Sequence, residues 1–212
     1  MNVGAGTGAY EPGDRWVLAV EPSAGMRARR PPTAAPAICG RAEALPLDDD
    51  AVDAALACVT IHHWESLERG LAELRRVARD TVVVFTFDLD ALPGWIQDYL
   101  RDALVLERTV FPSIEAVTAL LGGATRVEHV LTPADCSDGF VEAFWNRPEA
   151  LLDPGLRASQ SVWRLLGPAG EERVVERLRA DLRSGAWDEA HGHLRAAGTF
   201  DGALRLVVSE ST

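Results

Sequence analysis

Apolar residues in this chain gather into short runs broken by polar loops, and the spacing within the runs changes along the sequence. Trp16-Val17-Leu18-Ala19-Val20 reads as a buried strand ending in Glu21. Val52 to Val59 reads as a second strand, and Thr81 to Phe87 as a third that ends at Asp88. Such runs bounded by turn residues mark strands of a covered parallel sheet. Between the last two, Leu67, Leu71, Leu74 and Ala78 recur at helical spacing with charged residues between them, predicting an amphipathic helix against the sheet. Pro93 to Leu106 is predicted helical, and Ser113 caps a helix that Gly122-Gly123 stops near Leu121.

The carboxyl third has a different rhythm. Val127 to Leu131 and Ala203 to Val208 read as strands, separated by about seventy residues of mostly helical periodicity. Val174, Val175, Leu178 and Leu182 form the clearest amphipathic stripe in that stretch, and ordinary core packing accounts for them.

Chemistry enters at Asn2-Val3-Gly4-Ala5-Gly6-Thr7-Gly8, a glycine-rich strand-to-helix turn. Glycines let the backbone bend sharply and lie against a ligand, and in doubly wound α/β proteins such a turn follows the first parallel strand. Alone it is a common turn element. Glu21, at the tip of the next strand, is placed to accept both hydroxyl hydrogens of a ribose, although a solvated loop carboxylate would look the same by itself. A third segment, Gly40-Arg41-Ala42-Glu43-Ala44-Leu45-Pro46-Leu47, leads through Asp48-Asp49-Asp50 into the run from Val52.

Together these three segments resemble the class I S-adenosylmethionine-dependent methyltransferases, in particular those acting on small molecules. The resemblance is specific from Asn2 to about Asp88 and architectural beyond it. It implies an α/β fold: a Rossmann-like, doubly wound, mostly parallel sheet with an antiparallel C-terminal edge and a helical cap. The expected organisation is a single domain over 1–212, with a cofactor-binding core at 1–132, a helical cap at 139–193 and a final strand at 203–208. The implied cofactor is S-adenosyl-L-methionine. Gly4, Gly6 and Gly8, with Asn2 and Ala5 in the same turn, would lie under its methionine part. Glu21 would hold the ribose hydroxyls, Pro22 would flank the adenine, and Ala42 and Glu43 would sit beside the ring. Val59, Thr60 and His62 would face the sulfonium.

Two departures from the family pattern stand out. Arg41 replaces a small or acidic residue near the adenine amino group, and Met1 stands almost directly before the glycine turn, so the central first strand is expected to be largely missing. Unpaired backbone groups in a sheet centre are costly. A late start site or a shortened chain is the favoured explanation, beside a degenerate enzyme or a partner that completes the sheet. Asn2 in place of the usual Asp is a tolerated variation.

Composition narrows the partners. The 212 residues, 47% of them hydrophobic, suffice for one good core. A formal charge of -11 disfavours a phosphate-backbone substrate, and Arg27, Arg29 and Arg30 read as a solvated helix end before the loop Pro31 to Pro36. Cys39, Cys58 and Cys136 suggest neither disulfides nor zinc and read as buried and inert; with no signal peptide or long apolar stretch, a cytoplasmic setting without membrane contact is expected. No metal is inferred from His191 and His193. The expected partner is a small-molecule acceptor, and the chain a monomer or homodimer.

Methyl transfer is an in-line displacement in which the cofactor carries the difficult chemistry and the protein aligns an acceptor in a dry pocket. A base helps where the acceptor must lose a proton. His62 and His63 are the candidates after the strand from Val52, with Asp88 a further one, while a His-His pair is also a common structural feature of loops. Trp64, Trp95, Tyr99, Trp145 and Trp163 could line an acceptor pocket or simply fill the core. Two other readings remain: a nicotinamide-dependent oxidoreductase, since Gly4-x-Gly6-x-x-Ala9 also meets that fingerprint, and a truncated non-catalytic module. The first gives no role to the Gly40–Pro46 segment.

Overall fold

The computed structural model describes residues 1–211. Its strands are β1 (Asn2–Val3), β2 (Ala19–Val20), β3 (Ala37–Ile38), β4 (Val52–Cys58), β5 (Ala78–Phe87), β6 (Ala124–His129), β7 (Thr132–Pro133), β8 (Thr199–Phe200) and β9 (Leu204–Glu210). The helices are α1 (Ala24–Ala28), α2 (Leu67–Val77), α3 (Gly94–Tyr99), α4 (Arg101–Glu107), α5 (Ile114–Leu121), α6 (Pro154–Ala158), α7 (Ser161–Ser184) and α8 (Ala186–His191), with short 3₁₀ turns between them. No helix among the described residues is long and apolar enough to cross a membrane.

A seven-stranded sheet runs in the order β3-β2-β1-β4-β5-β9-β6, and β7 pairs with β8 apart from it. The five strands from β3 to β5 are parallel to their neighbours. β9 runs against β5, since Ser211 N–H donates to Asp80 at one end and Asp88 N–H donates to Ala203 at the other. This is the Rossmann-like arrangement with an antiparallel edge. The first strand is reduced to Asn2–Val3, yet it keeps its central place: Asn2 pairs with Ala19 and Leu56, and Val3 with Val20 and Ala57.

The chain divides into two compact units. One comprises Met1–Phe87, Phe111–Glu128 and Arg205 onward; the other comprises Asp88–Val110 and His129–Leu204. The core of the first lies on one sheet face, where Leu71, Leu74 and Val77 of α2 and Val117 and Leu121 of α5 pack on Ala55, Ala57, Val82, Val84 and Val207. Removing a buried leucine side chain from water contributes about 1.5–3 kcal/mol, so α2 is held mainly by packing. Its start is fixed by Ser66, whose Oγ accepts from Arg69 N–H. Ser113 caps α5 in the same way and Gly122, at φ 60°, ends it.

The second unit is helical. Trp95, Trp145, Trp163 and Trp187 are fully buried in it, and Trp95 Nε1–H donates to the Trp145 carbonyl. The stripe in α7 buries Val175 and Leu178 and half-buries Val174 and Leu182, while Gly167, at φ 64°, breaks the helix before Pro168. Glu142 is wholly buried, accepting from Thr132 Oγ1–H and Ala203 N–H.

Several sequence expectations are corrected. Only Ala19 and Val20 of the run from Trp16 are in a strand, and Trp16 is 100% exposed. Pro93 to Leu106 is two helices meeting at Leu100. The strand expected at Val127–Leu131 begins earlier, at Ala124, and the one expected to start at Ala203 runs on to Glu210. Cys39 is exposed, and Cys58 and Cys136 are half-buried.

Candidate cofactor and acceptor site

The strand order reverses between β1 and β4, and ligands of open α/β sheets bind in the crevice beyond the carboxyl ends of strands at such a point. The segments after β1 and β4 meet there. Gly4 takes φ 66°, and a Cβ on it would lie 2.1 Å from Thr60 Oγ1, so glycine is required both by backbone conformation and by the approach of the β4 segment. Gly6 differs. It also has positive φ, at 51°, but a Cβ there would meet no protein atom within 4 Å. Its surroundings leave room for a ligand.

Glu21 follows β2 and is 6% exposed. One carboxylate oxygen accepts from Gly6 N–H at 2.9 Å and the other from Ser23 N–H at 2.8 Å. Each carboxylate oxygen has two lone-pair sites, so both keep a place for a further donor. A second tie was not legible in the sequence. Arg30, expected on a solvated helix end, is 6% exposed at its side chain and forms an ion pair with Glu11, itself 7% exposed. It also donates to the carbonyls of Gly6 and Ala35, while Glu11 accepts from Ala35 N–H. Arg27 donates to the carbonyls of Glu21 and Pro22. Arg30 thus braces the glycine turn and Arg27 the segment after β2, while Arg29 is exposed as expected.

The Gly40–Pro46 segment places Ala42 in the core and leaves Glu43 half-buried. Glu43 accepts from the backbone N–H groups of Glu65 and Ser66, 2.7 and 3.3 Å away, and Arg41 pairs with Glu65. Pro22 is exposed, and the Asn2 side chain is buried with its Oδ1 lacking a partner.

Beyond β4 the chain is strained, with Thr60 and Ile61 buried, Val59 and His62 half-buried and His63 exposed. Val59 takes φ 49°, a conformation β-branched residues rarely adopt, while its N–H donates to Phe85 O at 2.8 Å. Thr60 is buried, and a 3₁₀ turn carries Ile61, His62 and His63. The His62 ring stacks on Phe111, with centroids 4.1 Å apart and planes at 16°, and lies 3.9 Å from the His63 ring. Its Nδ1 is buried without a partner. Burial first, and then the neighbouring His63, lower the His62 pKa to about 3, so the ring is neutral near pH 7. Burial also lowers His63, partly offset by Glu21. It raises the Cys58 thiol to about 11.

The remaining candidates are spread more widely. Asp88 Oδ1 accepts from Asp90 N–H as a helix cap. Trp64 packs against Gly70 of α2, where an added Cβ would fall 2.3 Å from its ring. Trp95, Trp145 and Trp163 are core residues, and Tyr99 donates its hydroxyl to Asp181 under the Arg177 guanidinium. Phe111, which the sequence reading did not single out, is the ring on which His62 stacks.

A glycine turn at the switch point of a Rossmann-like sheet, with a buried carboxylate after β2, defines a nucleotide-cofactor enzyme. A model of the methyltransferase domain matches residues 1–86. A protein of Anabaena variabilis, named as a methyltransferase from an antibiotic biosynthesis pathway, is 32% identical over 98% of this chain and 90% of its own, with a TM-score of 0.88. This chain belongs to the S-adenosylmethionine-dependent methyltransferase family, and S-adenosyl-L-methionine is its cofactor. A SAM-dependent methyltransferase of Thermotoga maritima shares the fold at 17% identity and TM-score 0.58, covering 100% of this chain and 81% of that one. So does a protein of Galdieria sulphuraria named as a sarcosine dimethylglycine methyltransferase, at 13% identity and TM-score 0.55, covering 100% and 76%. No curated protein matched the sequence.

Proposed function

We propose that this chain transfers a methyl group from S-adenosyl-L-methionine to a small-molecule acceptor, with the glycine turn and Glu21 holding the donor and the Val59–His63 segment bordering the reacting atoms. The supporting observation is the Gly6–Glu21–Ser23 arrangement: a turn with open space above Gly6, tied to a buried carboxylate whose remaining lone pairs suit two ribose hydroxyls. The residues present fit the cofactor. Gly4, Ala5, Gly6 and Gly8 would supply the turn beneath its methionine part, Asn2 Oδ1 offers an unpaired acceptor, and Pro22, Ala42 and Glu43 would border the adenine. The bound cofactor supplies a methyl group activated on a sulfonium.

The chain's own residues position the acceptor and exclude water. His62 is a neutral ring under ordinary conditions, with one buried nitrogen to spare. Its conjugate acid is too strong for it to act as a general base near pH 7. It serves as a hydrogen-bond partner that orients the acceptor, which favours acceptors whose lone pair is already available, such as a neutral amine or an ionised thiol or phenol. His63 has the same part from a more exposed position, and Asp88 acts mainly through its cap. The naming of the Anabaena variabilis relative for an antibiotic biosynthesis pathway favours a biosynthetic intermediate as acceptor.

Calorimetry with S-adenosylhomocysteine tests this reading. The wild-type chain should bind it and show no heat with NADH. Gly6→Ala meets no protein atom and costs only the strain of an alanine at φ 51°, so it should lose at least about tenfold in affinity with a modest loss of stability and the fold retained. Equal affinity in the two proteins would remove the glycine turn from the site.

A further inference from the structure

β6 ends the strand order of the seven-stranded sheet, and among the described residues no strand lies beyond it. It is exposed along almost its whole length: Thr125 alone of its six residues is half-buried, and Val127 is 39% exposed. Such an edge presents a row of backbone donors and acceptors, which proteins usually blunt with charged side chains, proline or a bulge; the charges of β6, Arg126 and Glu128, are of opposite sign and so do not by themselves repel a second copy. β6 contains no proline, and the chain contains no lysine at all.

The register shows which groups point outward. Val130 N–H donates to Leu204 O, so the even-numbered residues of this antiparallel pair bond to β9. Thr125, Val127 and His129 therefore direct their N–H and C=O groups away from the sheet. The charges of the strand are arranged symmetrically about the middle one of these three. Arg126 and Glu128 flank Val127, and Arg126 now bridges Glu128 and Glu210 within its own chain. If a second copy pairs antiparallel with Val127 opposite Val127, each Arg126 stands opposite the partner's Glu128. Thr125 then stands opposite the partner's His129. Opposite charges directly across a ladder stabilise the pairing, whereas a shift by one residue would set Arg126 opposite Val127.

We propose that β6 is a homodimer interface, in which two copies pair edge to edge about Val127 and join their sheets into one. The partner is a second copy of this chain because the edge complements itself: the residues that expose backbone groups are centred on the same position as the opposite charges. The proposal does not depend on which acceptor is methylated.

Sedimentation velocity over a wide concentration series provides the test. The wild-type chain should dimerise. Val127→Pro removes only an outward N–H, so it should be monomeric with unchanged melting and unchanged S-adenosylhomocysteine binding. Glu128→Arg, which sets like charges across the ladder twice per dimer, should weaken the dimer at least about tenfold and keeps the test decisive if the proline variant unfolds. For the register, Val127→Cys should oxidise readily to a covalent dimer, since directly paired Cα atoms lie about 5.5 Å apart, and Arg126→Cys should not. A wild-type monomer at every concentration would overturn the proposal. So would a dimer indifferent to both Val127→Pro and Glu128→Arg, or cross-linking equally efficient at 126 and 127.

Discussion

The segments that follow β1 and β4 approach the same crevice, but they are built in opposite ways. The glycine turn is saturated with polar contacts: Glu21 holds two backbone N–H groups, Arg30 and Glu11 form a buried pair, and Arg30 takes the Gly6 carbonyl. The segment from Val59 to His63 carries a valine at positive φ, a His62 nitrogen without a partner, and a His62 ring that burial keeps neutral. The first has the character of a fixed receptor. The second keeps unsatisfied groups where a reacting molecule could use them, the usual signature of strain retained at a working site.

The widest separation between the two should come from Arg30→Ala, which leaves the Glu11 carboxylate buried and unpaired. Breaking a buried pair costs about 3–5 kcal/mol, so chemical denaturation should show a large loss of stability. An unchanged denaturation midpoint would mean that the turn does not depend on this brace. Next in size is Glu21→Gln. Hydrogen bonds to a charged group contribute about 1.5–3 kcal/mol, so S-adenosylhomocysteine affinity should fall roughly tenfold to a hundredfold with the fold retained. An unchanged affinity in Glu21→Gln would place the ribose elsewhere.

The β4 segment should reveal itself through pH. The unfolded chain protonates His62 near 6.5, whereas the folded chain does so only near 3. The unfolded state therefore binds the extra proton between those values, and stability is full above about pH 6.5 and is lost as the pH falls toward 3. His63 adds to the loss in the same direction. His62→Phe, which can keep the stack on Phe111, should flatten this acid slope by close to one proton. Parallel slopes in the two proteins would mean that His62 is solvated. The smallest effect is expected from Val59→Gly, which relieves positive φ but adds unfolded-state entropy of about 0.5–1 kcal/mol, leaving stability within about 1 kcal/mol of wild type. A loss beyond 2 kcal/mol would show that the valine side chain contributes more packing than its backbone geometry costs.

What was legible in the sequence follows the same division. The glycine turn, Glu21, α2, β5 and the Ser113 cap could be read because each is set by neighbours within one turn or one strand. The Arg30–Glu11 brace joins residues nineteen positions apart with no periodicity to betray it, and the approach of Phe111 to His62 spans forty-nine. Trp16 shows the converse failure. Its apolar character continued the run into Ala19 and Val20, but the pairing of β2 with β1 and β3 reaches only those two residues and leaves the indole outside. Side-chain pattern can identify a strand, whereas its length is decided by the neighbours available to pair with it.

The ties that Glu21 makes also set a rule of exclusion. Because its two oxygens already hold the turn and the start of the next segment, the carboxylate cannot swing aside for a ligand without releasing both. On the proposed role of Glu21, a nucleotide whose ribose carries free hydroxyls would meet waiting acceptors. On the same proposal, one whose ribose is phosphorylated would bring negative charge against a buried carboxylate that has nowhere to go, so phosphorylated dinucleotides would be turned away by the same bonds that keep the loop in shape.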